Sequence, residues 1–340
     1  MKTEAFDYFL PKELIAQAPV GERSSSRLLV LDRSSKTVDH RLFREIDGLF
    51  HENDLLVIND TKVIPARLRA KKKTGGALDL LLVEEIDDRR WLCLVSGMRK
   101  VSEQTEVYVG DQAVILKAGT PFWTIEIPAG ADAARLMADC GNMPLPPYIK
   151  REKGERRPQD YERYQTVYAT NEGSIAAPTA GLHFDAEVIG RIAARGVKVV
   201  AITLHIGIGT FFLVKSETVE GHEMHREHYV VPPDTMESVR RTKEMGGRVV
   251  AVGTSSVRSL ETACSGKNGD SLSGSTGLFI YPGYRFKVVD ALITNFHLPR
   301  STPLLLACAF GGQDAIEGAY REAIERRYRF YSYGDAMFIS

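Results

Sequence analysis

A change in the pattern of apolar and turn-forming residues near residue 63 constrains the fold of this chain more than any other feature of its sequence. Residues 1–62 alternate between apolar runs and amphipathic stretches, and this α/β rhythm returns after residue 150. Between them lie five short β-type runs punctuated by Gly, Asp and Pro, at 77–86, 90–95, 106–109, 113–117 and 122–127. Short strands separated by turns are typical of a small antiparallel barrel or sandwich.

This pattern predicts a mixed α/β fold in which one domain is interrupted by another. We place a discontinuous α/β catalytic domain at residues 1–62 plus 150–340, and an inserted small antiparallel β-barrel domain at 63–149. The Pro-rich stretch 142–149 is of the kind found at domain boundaries. A chain of 340 residues is long enough for two domains, each with its own core.

The composition of the chain argues against several classes of function. Lys+Arg and Asp+Glu number 44 each, which argues against a protein that binds nucleic acid with its whole surface. No apolar run approaches the roughly 20 residues that span a bilayer, and the N-terminus lacks a signal-peptide pattern. The four cysteines lie far apart without a C-x-x-C pair, which predicts reduced thiols that bind no metal. We therefore expect a cytoplasmic protein that does not bind membranes.

Polar side chains recur where predicted strands end. Predicted strands at 54–58, 197–204, 248–252 and 288–293 are followed by Asn59, Asp60, Lys62, His205, Thr254, Ser255, Arg258, Asn295 and His297. The carboxyl ends of strands in an α/β sheet converge on one rim, so remote segments can build one site there. Each residue alone also has a structural explanation, such as capping a turn or pairing with a helix carboxylate.

The stretch 173–184 is made of small residues with one hydroxyl, Thr179, and one imidazole, His183. Small residues leave backbone amides open to a flat or charged ligand. A helix is predicted to follow, with Asp185 as its N-cap and Gly196 just past its end. A loop that leads into a helix N-terminus is a common anion site. The alternative is a tight turn packed with small residues.

The segment 222–227 holds the densest titratable cluster, with His222, His225 and Glu227. Two imidazoles three residues apart could bind Zn²⁺, but the H-E-x-x-H pattern is absent and no fourth ligand stands out. On a strand, His225 and Glu227 would point to the same face, which favours an acid/base pair over a metal site. We predict no metal here. The nearby Gly207-Ile-Gly209 lacks the third Gly of a dinucleotide-binding turn.

Two basic runs flank the predicted insert. A solvated charge run is the usual explanation of either one. Their positions at both ends of one module, together with Lys62, instead suggest a surface for the phosphates of a folded RNA. The residues concerned are Lys62, Arg67, Arg69, Lys71, Lys72, Lys150, Arg151, Arg156 and Arg157, and the nearby Tyr161, Tyr164 and Tyr168 could stack on splayed bases.

Strings along nearly the whole chain resemble, in order, one family: the S-adenosylmethionine:tRNA ribosyltransferase-isomerases of queuosine biosynthesis. They include Asn59-Asp-Thr-Lys, Ala177-Pro-Thr-Ala-Gly-Leu-His-Phe, Gly221-His-Glu-Met-His-Arg-Glu, Thr294-Asn-Phe-His-Leu-Pro and Tyr333-Gly-Asp-Ala-Met. The β insert carries the least of the match. The resemblance implies a barrel-like α/β catalytic domain interrupted by a small β-barrel.

The resemblance also implies the reaction. The ribosyl part of S-adenosylmethionine (AdoMet) moves onto the aminomethyl group of 7-aminomethyl-7-deazaguanine at the tRNA wobble position. It is rearranged to give epoxyqueuosine-tRNA, and adenine and methionine are released. AdoMet is a co-substrate and no cofactor is implied, because the sulfonium already acidifies the C5′ hydrogens. The expected partners are AdoMet and this tRNA, and we expect a monomer.

This chemistry needs a base for a C5′ proton, an acid for adenine and a base for the tRNA amine. The candidates for these roles, with the groups that orient them, are His183, His205, His222, His225, Glu227 and Asp60. Candidates for AdoMet binding are Thr179, Thr254, Ser255, Arg258, Asn295 and His297, of which Thr254 and Arg258 suit the methionine carboxylate. Two alternatives stay open: an AdoMet-dependent RNA methyltransferase and a non-catalytic RNA-binding protein.

Overall fold

The computed structural model describes residues 1–98, 102–152, 155–265 and 271–340, which divide into two compact units. The first unit comprises Met1–Lys62, Pro147–Lys150 and Gln165–Ser340. The second comprises Val63–Pro146 and Arg151–Tyr164.

The sequence pattern assigns residues 151–164 to the α/β domain and 147–149 to the insert, whereas 151–164 lie with the second unit and 147–149 with the first. Within the second unit, the Arg151 guanidinium donates to both carboxylate oxygens of Asp160, at 2.7 and 2.8 Å. The Tyr161 hydroxyl donates to the Gly141 carbonyl at 2.6 Å. These contacts explain why the segment groups with the β unit.

The described residues form short strands throughout the chain. In chain order they are β1 (Arg27–Asp32), β2 (Thr37–Leu42), β3 (Leu55–Asn59), β4 (Thr61–Val63), β5 (Arg67–Lys72), β6 (Ala77–Asp87), β7 (Arg90–Ser96), β8 (Gln104–Val109), β9 (Gln112–Lys117), β10 (Trp123–Glu126), β11 (Gly141–Asn142), β12 (Asn171–Ser174), β13 (Lys198–Leu204), β14 (Glu227–Val230), β15 (Val249–Val252), β16 (Ser273–Thr276), β17 (Ala291–Asn295) and β18 (Ala336–Ile339).

The helices are short as well. The α-helices are α1 (Ala133–Cys140), α2 (Pro158–Arg163), α3 (Ala186–Ala194), α4 (Pro233–Glu244), α5 (Gly253–Ala263), α6 (Thr302–Gly311) and α7 (Gln313–Glu325). Short 3₁₀ turns occur at Thr3–Phe6, Lys12–Leu14, Arg23–Ser25, Phe43–Leu49, Thr179–His183, Ile208–Phe211 and Val219–Gly221. Over the described ranges, none of the helices has the length and apolarity needed to cross a membrane.

The first unit is built on a mixed sheet of nine strands in the order β16-β14-β13-β3-β15-β17-β18-β1-β2. Strands β13, β3, β15 and β17 run parallel to one another at its centre. Strands β3, β15 and β17 are buried along their whole length. Their side chains alternate between two apolar clusters, with Leu55 and Val57 in one and Leu56 and Ile58 in the other. This is why their sequences are continuously apolar.

The second unit is the predicted antiparallel barrel. Its strands follow the order β5-β6-β7-β10-β9-β8, and β8 pairs back onto β5, which closes the sheet. Alternate side chains fill the interior, among them Leu68, Ala70, Leu80, Leu82 and Val107. The α/β class with an inserted small β-barrel is thereby confirmed.

Some local predictions were wrong because tertiary pairing outweighs local pattern. The local pattern predicts helices at 12–17 and 41–50, but these segments contain 3₁₀ turns at Lys12–Leu14 and Phe43–Leu49. In the second segment, Arg41 and Leu42 pair with β1 instead. The apolar run 278–281, whose pattern predicts a strand, does not form one. The helix after Asp185 is as predicted: its carboxylate accepts from Val188 N at 2.8 Å, and Gly196 follows at φ 82°.

The strings Asp234-Thr-Met-Glu237 and Asp314-Ala-Ile-Glu317 predict capping boxes at two helix starts, but neither forms. Helix α4 begins at Pro233, one residue earlier, so Asp234 lies inside its first turn and caps nothing. Helix α7 begins at Gln313 after Gly312, which has no side chain to accept a hydrogen bond. Proline favours the first helical position because it has no N–H to satisfy there.

An ion pair aligns the starts of two central strands. Asp54, which precedes β3, is 2% exposed and accepts from Arg248 Nη2 at 2.6 Å. It also accepts from the backbone N–H groups of Arg248 at 3.0 Å and His51 at 2.9 Å. Burial by itself raises the pKa of the Asp54 carboxyl, but these hydrogen bonds outweigh burial and lower it. The carboxylate therefore ties β3 to the start of β15.

We predict that Asp54→Ala lowers the free energy of unfolding by about 3 kcal/mol, because it leaves Arg248 and two backbone donors without their acceptor. Urea denaturation followed by circular dichroism measures this loss. Glu13→Ala removes an exposed carboxylate and should change the free energy by less than about 0.5 kcal/mol. Equal stabilities of the two variants would contradict the assigned role.

Candidate active site

The carboxyl ends of the central parallel strands meet around Asn59, the last residue of β3. Its side chain is fully buried, and Nδ2 donates to the Leu204 carbonyl and to Ser255 Oγ, each at 3.0 Å. Its Oδ1 accepts from Leu204 N at 3.0 Å and from Thr61 N at 3.2 Å. The residues that follow β3, β13 and β15 therefore lie together, although they are far apart in the chain.

Asp60 faces away from this bridge and organises a second polar group. Its Oδ1 accepts from Thr203 Oγ1 at 2.6 Å, and its Oδ2 accepts from Asn171 Nδ2 at 3.0 Å. Its backbone carbonyl accepts from the N–H groups of Thr170 and Asn171. Asp60 therefore joins the end of β3 to β12 and β13, and makes no hydrogen bond to an imidazole among the described residues.

His205 follows β13 directly and is half-buried. Its Nδ1 lies 2.8 Å from Thr61 Oγ1. The His228 ring stacks against it at 6.2 Å with an interplanar angle of 19°. A Cβ at Gly173, which has φ 140°, would lie 3.0 to 3.1 Å from three ring atoms, so only glycine lets the backbone approach the ring this closely. Burial and the neighbouring His228 lower the pKa of His205.

His183 lies deeper and uses both of its ring nitrogens. Nδ1 is 2.7 Å from Ser26 Oγ, and Nε2 is 3.0 Å from Asn295 Nδ2. The ring stacks on Phe43 at 5.1 Å. Burial, assisted by the positive charges of Arg23 and Arg329, lowers the pKa of His183 to about 3. The imidazole is therefore neutral at pH 7.

The partners of Asn295 determine which nitrogen of His183 carries the proton. The Tyr331 carbonyl can only accept a hydrogen bond, and it lies 3.3 Å from Asn295 Nδ2. The NH₂ group must therefore face this side, and it donates to His183 Nε2 as well. His183 carries its proton on Nδ1 and donates it to Ser26, whose hydroxyl donates to the Arg23 carbonyl at 3.3 Å. The remaining Asn295 atom, Oδ1, is buried without a partner among the described residues.

Glu227 and Arg258 form an ion pair whose side chains are 5% and 8% exposed. Arg258 Nη1 donates to Glu227 Oε2, and Nε donates to the Leu278 carbonyl at 2.9 Å. The other oxygen, Glu227 Oε1, accepts from Gly207 N at 2.8 Å. The sequence predicts acid/base chemistry for Glu227 and AdoMet binding for Arg258. In the structure their charges neutralise each other, and the pair holds the backbone after β13.

His225 does not share a strand face with Glu227, because β14 begins only at Glu227. The His225 ring is exposed and packs over Gly209, with Phe212 at 6.1 Å. His222 is half-buried against the edge of Phe279 at 5.1 Å, and burial followed by the charge of His225 lowers its pKa. In the described part of the chain, no three His, Cys, Asp or Glu side chains form a group able to hold a metal ion.

The predicted AdoMet residues separate into two places. Thr254 and Ser255 lie in the first turn of α5, whose N-cap residue, Val252, provides no capping side chain. Thr179, half-buried, opens the 3₁₀ turn next to them, since a Cβ at Gly253 would lie 3.7 Å from that of Ala180. His297 lies elsewhere: its Nε2 is 2.6 Å from Thr294 Oγ1, and burial lowers its pKa to about 3.

The small residues at 173–184 allow close packing within the protein. A Cβ at Gly181 would lie 2.1 Å from the Tyr168 hydroxyl and 2.7 Å from Thr166 Cγ2. At this glycine the protein itself, and not a ligand, approaches the backbone.

The basic residues have differing surroundings. Lys62 pairs with Glu172 at 2.9 Å, Arg151 with Asp160 and Arg157 with Glu155. Arg156 donates to the Asp139 carbonyl and lies over the Tyr161 ring, and Arg67 donates to the Leu145 carbonyl. Lys150 donates its backbone N–H to Gln17. Lys72 closes the turn after β5 through its backbone.

The outward face of β5 carries two exposed cations. Arg69 and Lys71 lie at alternate positions of the strand and so point to the same side.

Sequence reasoning missed the residues that orient His183 and His205. Ser26 gave no signal, because it ends a run of serines before β1. Thr61 and Gly173 lay within stretches already selected, but nothing local connects them to His205. His228 lies just after the histidine cluster, and no local pattern connects it to His205.

Comparisons with known proteins agree with this architecture. The model of the family described as "Queuosine biosynthesis protein" matches residues 3–339. The S-adenosylmethionine:tRNA ribosyltransferase-isomerase of Thermotoga maritima is 51% identical to this chain, with both chains fully covered. The protein of the same name from Citrifermentans bemidjiense is 48% identical over 98% of each chain.

A solved structure is similar over the same extent. The crystal structure of S-adenosylmethionine tRNA ribosyltransferase from Thermotoga maritima superposes with a TM-score of 0.58 at 39% identity, covering 99% of this chain and 100% of that one. The family model and these relatives match this chain over nearly its whole length. The chain belongs to the queuosine biosynthesis protein family.

Proposed function

We propose that this chain is an S-adenosylmethionine:tRNA ribosyltransferase-isomerase. It transfers the ribosyl moiety of AdoMet to the aminomethyl group of 7-aminomethyl-7-deazaguanine at the tRNA wobble position and isomerises it, giving epoxyqueuosine-tRNA, adenine and methionine. The observation that carries this proposal is family membership along the full length, with relatives that bear this name. Neutral imidazoles at the rim of the central sheet suit a reaction that proceeds by proton transfer.

The uncapped start of α5 is the best candidate for the methionine carboxylate. The first N–H groups of a helix have no intrahelical acceptor, and the helix dipole favours an anion there. Thr254 is half-buried in this turn and adds a hydroxyl. Arg258, our first candidate for this carboxylate, is committed to Glu227, so we assign it the role of holding the Gly207 backbone instead.

The outward face of β5 is the best candidate for a tRNA surface on the barrel unit. Arg69 and Lys71 are exposed there, whereas Arg151 and Arg157 already pair with carboxylates. Two cations on one face of a strand can each neutralise a phosphate. We further propose that the protein acts in the cytoplasm as a monomer. The sulfonium of AdoMet acidifies its own C5′ hydrogens, so we expect the reaction to need no metal or redox cofactor.

The proposed reaction is tested by incubating the protein with AdoMet and tRNA that carries 7-aminomethyl-7-deazaguanine. We expect free adenine in a one-to-one ratio to modified wobble nucleoside, with the ribosyl-derived mass added. S-adenosylhomocysteine with a methyl increment would instead identify an RNA methyltransferase. Bound tRNA with neither product would identify a non-catalytic RNA-binding protein.

The barrel surface is tested with the double variant Arg69→Gln, Lys71→Gln. We expect weaker tRNA binding and a plot of log affinity against log salt whose slope is smaller by about 2, roughly one for each phosphate that is no longer neutralised. Lys12→Gln removes an exposed cation from the other unit and serves as the control. An unchanged salt slope in the double variant would remove β5 from the tRNA surface. AdoMet affinity, measured by calorimetry, should not change in either protein.

A further inference from the structure

The reaction needs one group that accepts a C5′ proton, and the structure distinguishes among the eight histidines. An acceptor must be neutral and must have an unshared ring nitrogen that faces open space. His40 and His183 use both ring nitrogens. The His297 ring is enclosed, and burial lowers its pKa to about 3, so it is a poor proton acceptor. His51 precedes β3 and so lies at the amino end of the parallel strands, opposite the rim.

His205 meets these requirements at the rim itself. It follows a central strand, its Nδ1 contacts Thr61, the Gly173 backbone approaches the ring closely, and His228 stacks against it. Nε2 contacts no hydrogen-bonding group in the described residues, and the side chain is only half-buried. The ring is therefore held by three neighbours, and in the described residues its Nε2 has no hydrogen-bond partner. The rings of His222 and His225 contact Phe279 and Phe212, and that of His228 contacts His205. Within the described residues, however, none of these three rings makes a hydrogen bond that would fix its tautomer.

We propose that His205 Nε2 is the acceptor of the C5′ proton of AdoMet, an inference that rests on the proposed function. The Nε2 lone pair takes the proton and the imidazole becomes imidazolium. The electron pair of the C5′–H bond stays on C5′, where the adjacent sulfonium stabilises it. Charge is conserved, because the AdoMet cation becomes a neutral ylide while His205 gains one positive charge.

Thr61 is the positioning residue for this step. Nε2 has a lone pair only in the tautomer that carries its proton on Nδ1, and that proton points at Thr61 Oγ1, 2.8 Å away. The hydroxyl also supports the imidazolium, since an N–H donor binds its acceptor more strongly when charged. Thr61→Ser keeps this acceptor and Thr61→Val removes it, so the two variants separate the hydrogen bond from the packing.

The charges around His205 give the proposal a pH signature. Burial and His228 of β14 lower the pKa of His205 from 6.5, and Asp60 at the end of β3 opposes them. The nearby Lys62 and Glu172 pair with each other. A base works only when unprotonated, so kcat/KM falls as pH decreases through its pKa. We expect the acidic limb of the wild-type profile to lie below 6.5. It should move up in His228→Gln and down in Asp60→Asn.

The decisive measurement is hydrogen exchange at C5′. Protein, tRNA and AdoMet deuterated at C5′ are incubated in ordinary water, and deuterium in recovered AdoMet and in the product nucleoside is counted by mass spectrometry. We expect the wild type to lose deuterium. His205→Ala should lose it about 10³-fold more slowly with AdoMet and tRNA affinities unchanged, and added imidazole should restore part of the rate. Thr61→Ser should exchange like the wild type, and Thr61→Val about tenfold more slowly.

The outcomes separate this inference from the proposed function. If the wild type modifies tRNA and His205→Ala does so at the same rate, or if His228→Gln and Asp60→Asn leave the acidic limb in place, the inference is wrong and the function stands. If the wild type releases no adenine but exchanges C5′ deuterium in a His205-dependent way, the function is wrong and the base assignment stands. A folded His205→Ala that exchanges normally would assign the proton to another group.

Discussion

The Asn59 carboxamide is the interaction on which the arrangement of the site depends. It lies in a core that excludes water, at the point where β3 and β13 stop pairing, and all of its hydrogen-bonding groups are used. An unpaired amide at this depth would cost about 1–3 kcal/mol per group, so the side chain allows essentially one arrangement of its neighbours. That arrangement sets where His205 leaves β13 and where α5 begins. The same carboxamide accepts from the Thr61 N–H. Asn59 therefore helps to position both the His205 ring and the Thr61 hydroxyl that contacts it.

Near Asn59, a buried ion pair between Glu227 and Arg258 holds segments of backbone in place. Taking Arg258 and Glu227 out of water is costly, and their mutual attraction offsets the cost only when the remaining donors and acceptors are satisfied. Glu227 accepts from Gly207 N, and Arg258 donates to the Leu278 carbonyl, so both conditions are met. The pair connects β14, α5 and the glycine-rich turn after β13. A residue that looks catalytic in the sequence can thus act by fixing the shape of the loop beside the reacting groups.

The imidazoles show how far environment, and not residue type, decides a role. His183 and His205 occur in similar apolar segments and both have a lowered pKa. His183 is closed in by Ser26 and Asn295, however, whereas His205 retains an open nitrogen. His225 and Glu227 were expected on one strand face, but β14 begins too late to include His225. The environments of His183 and His205 depend on partners more than a hundred residues away, such as Ser26 and Thr61, and no local pattern contains them.

The sequence by itself determined the two-part architecture and the rim. Continuous apolar runs predict strands covered on both faces, dense turn residues predict an antiparallel barrel, and polar residues after strands predict a shared edge. These signals are local, because periodicity and turn chemistry are properties of short segments. Only the tertiary structure decided which polar residues meet, which are neutralised and which remain open to a substrate. That selection depends on strand order and on burial, which arise from contacts between remote segments, so it appears only when the sheet is assembled.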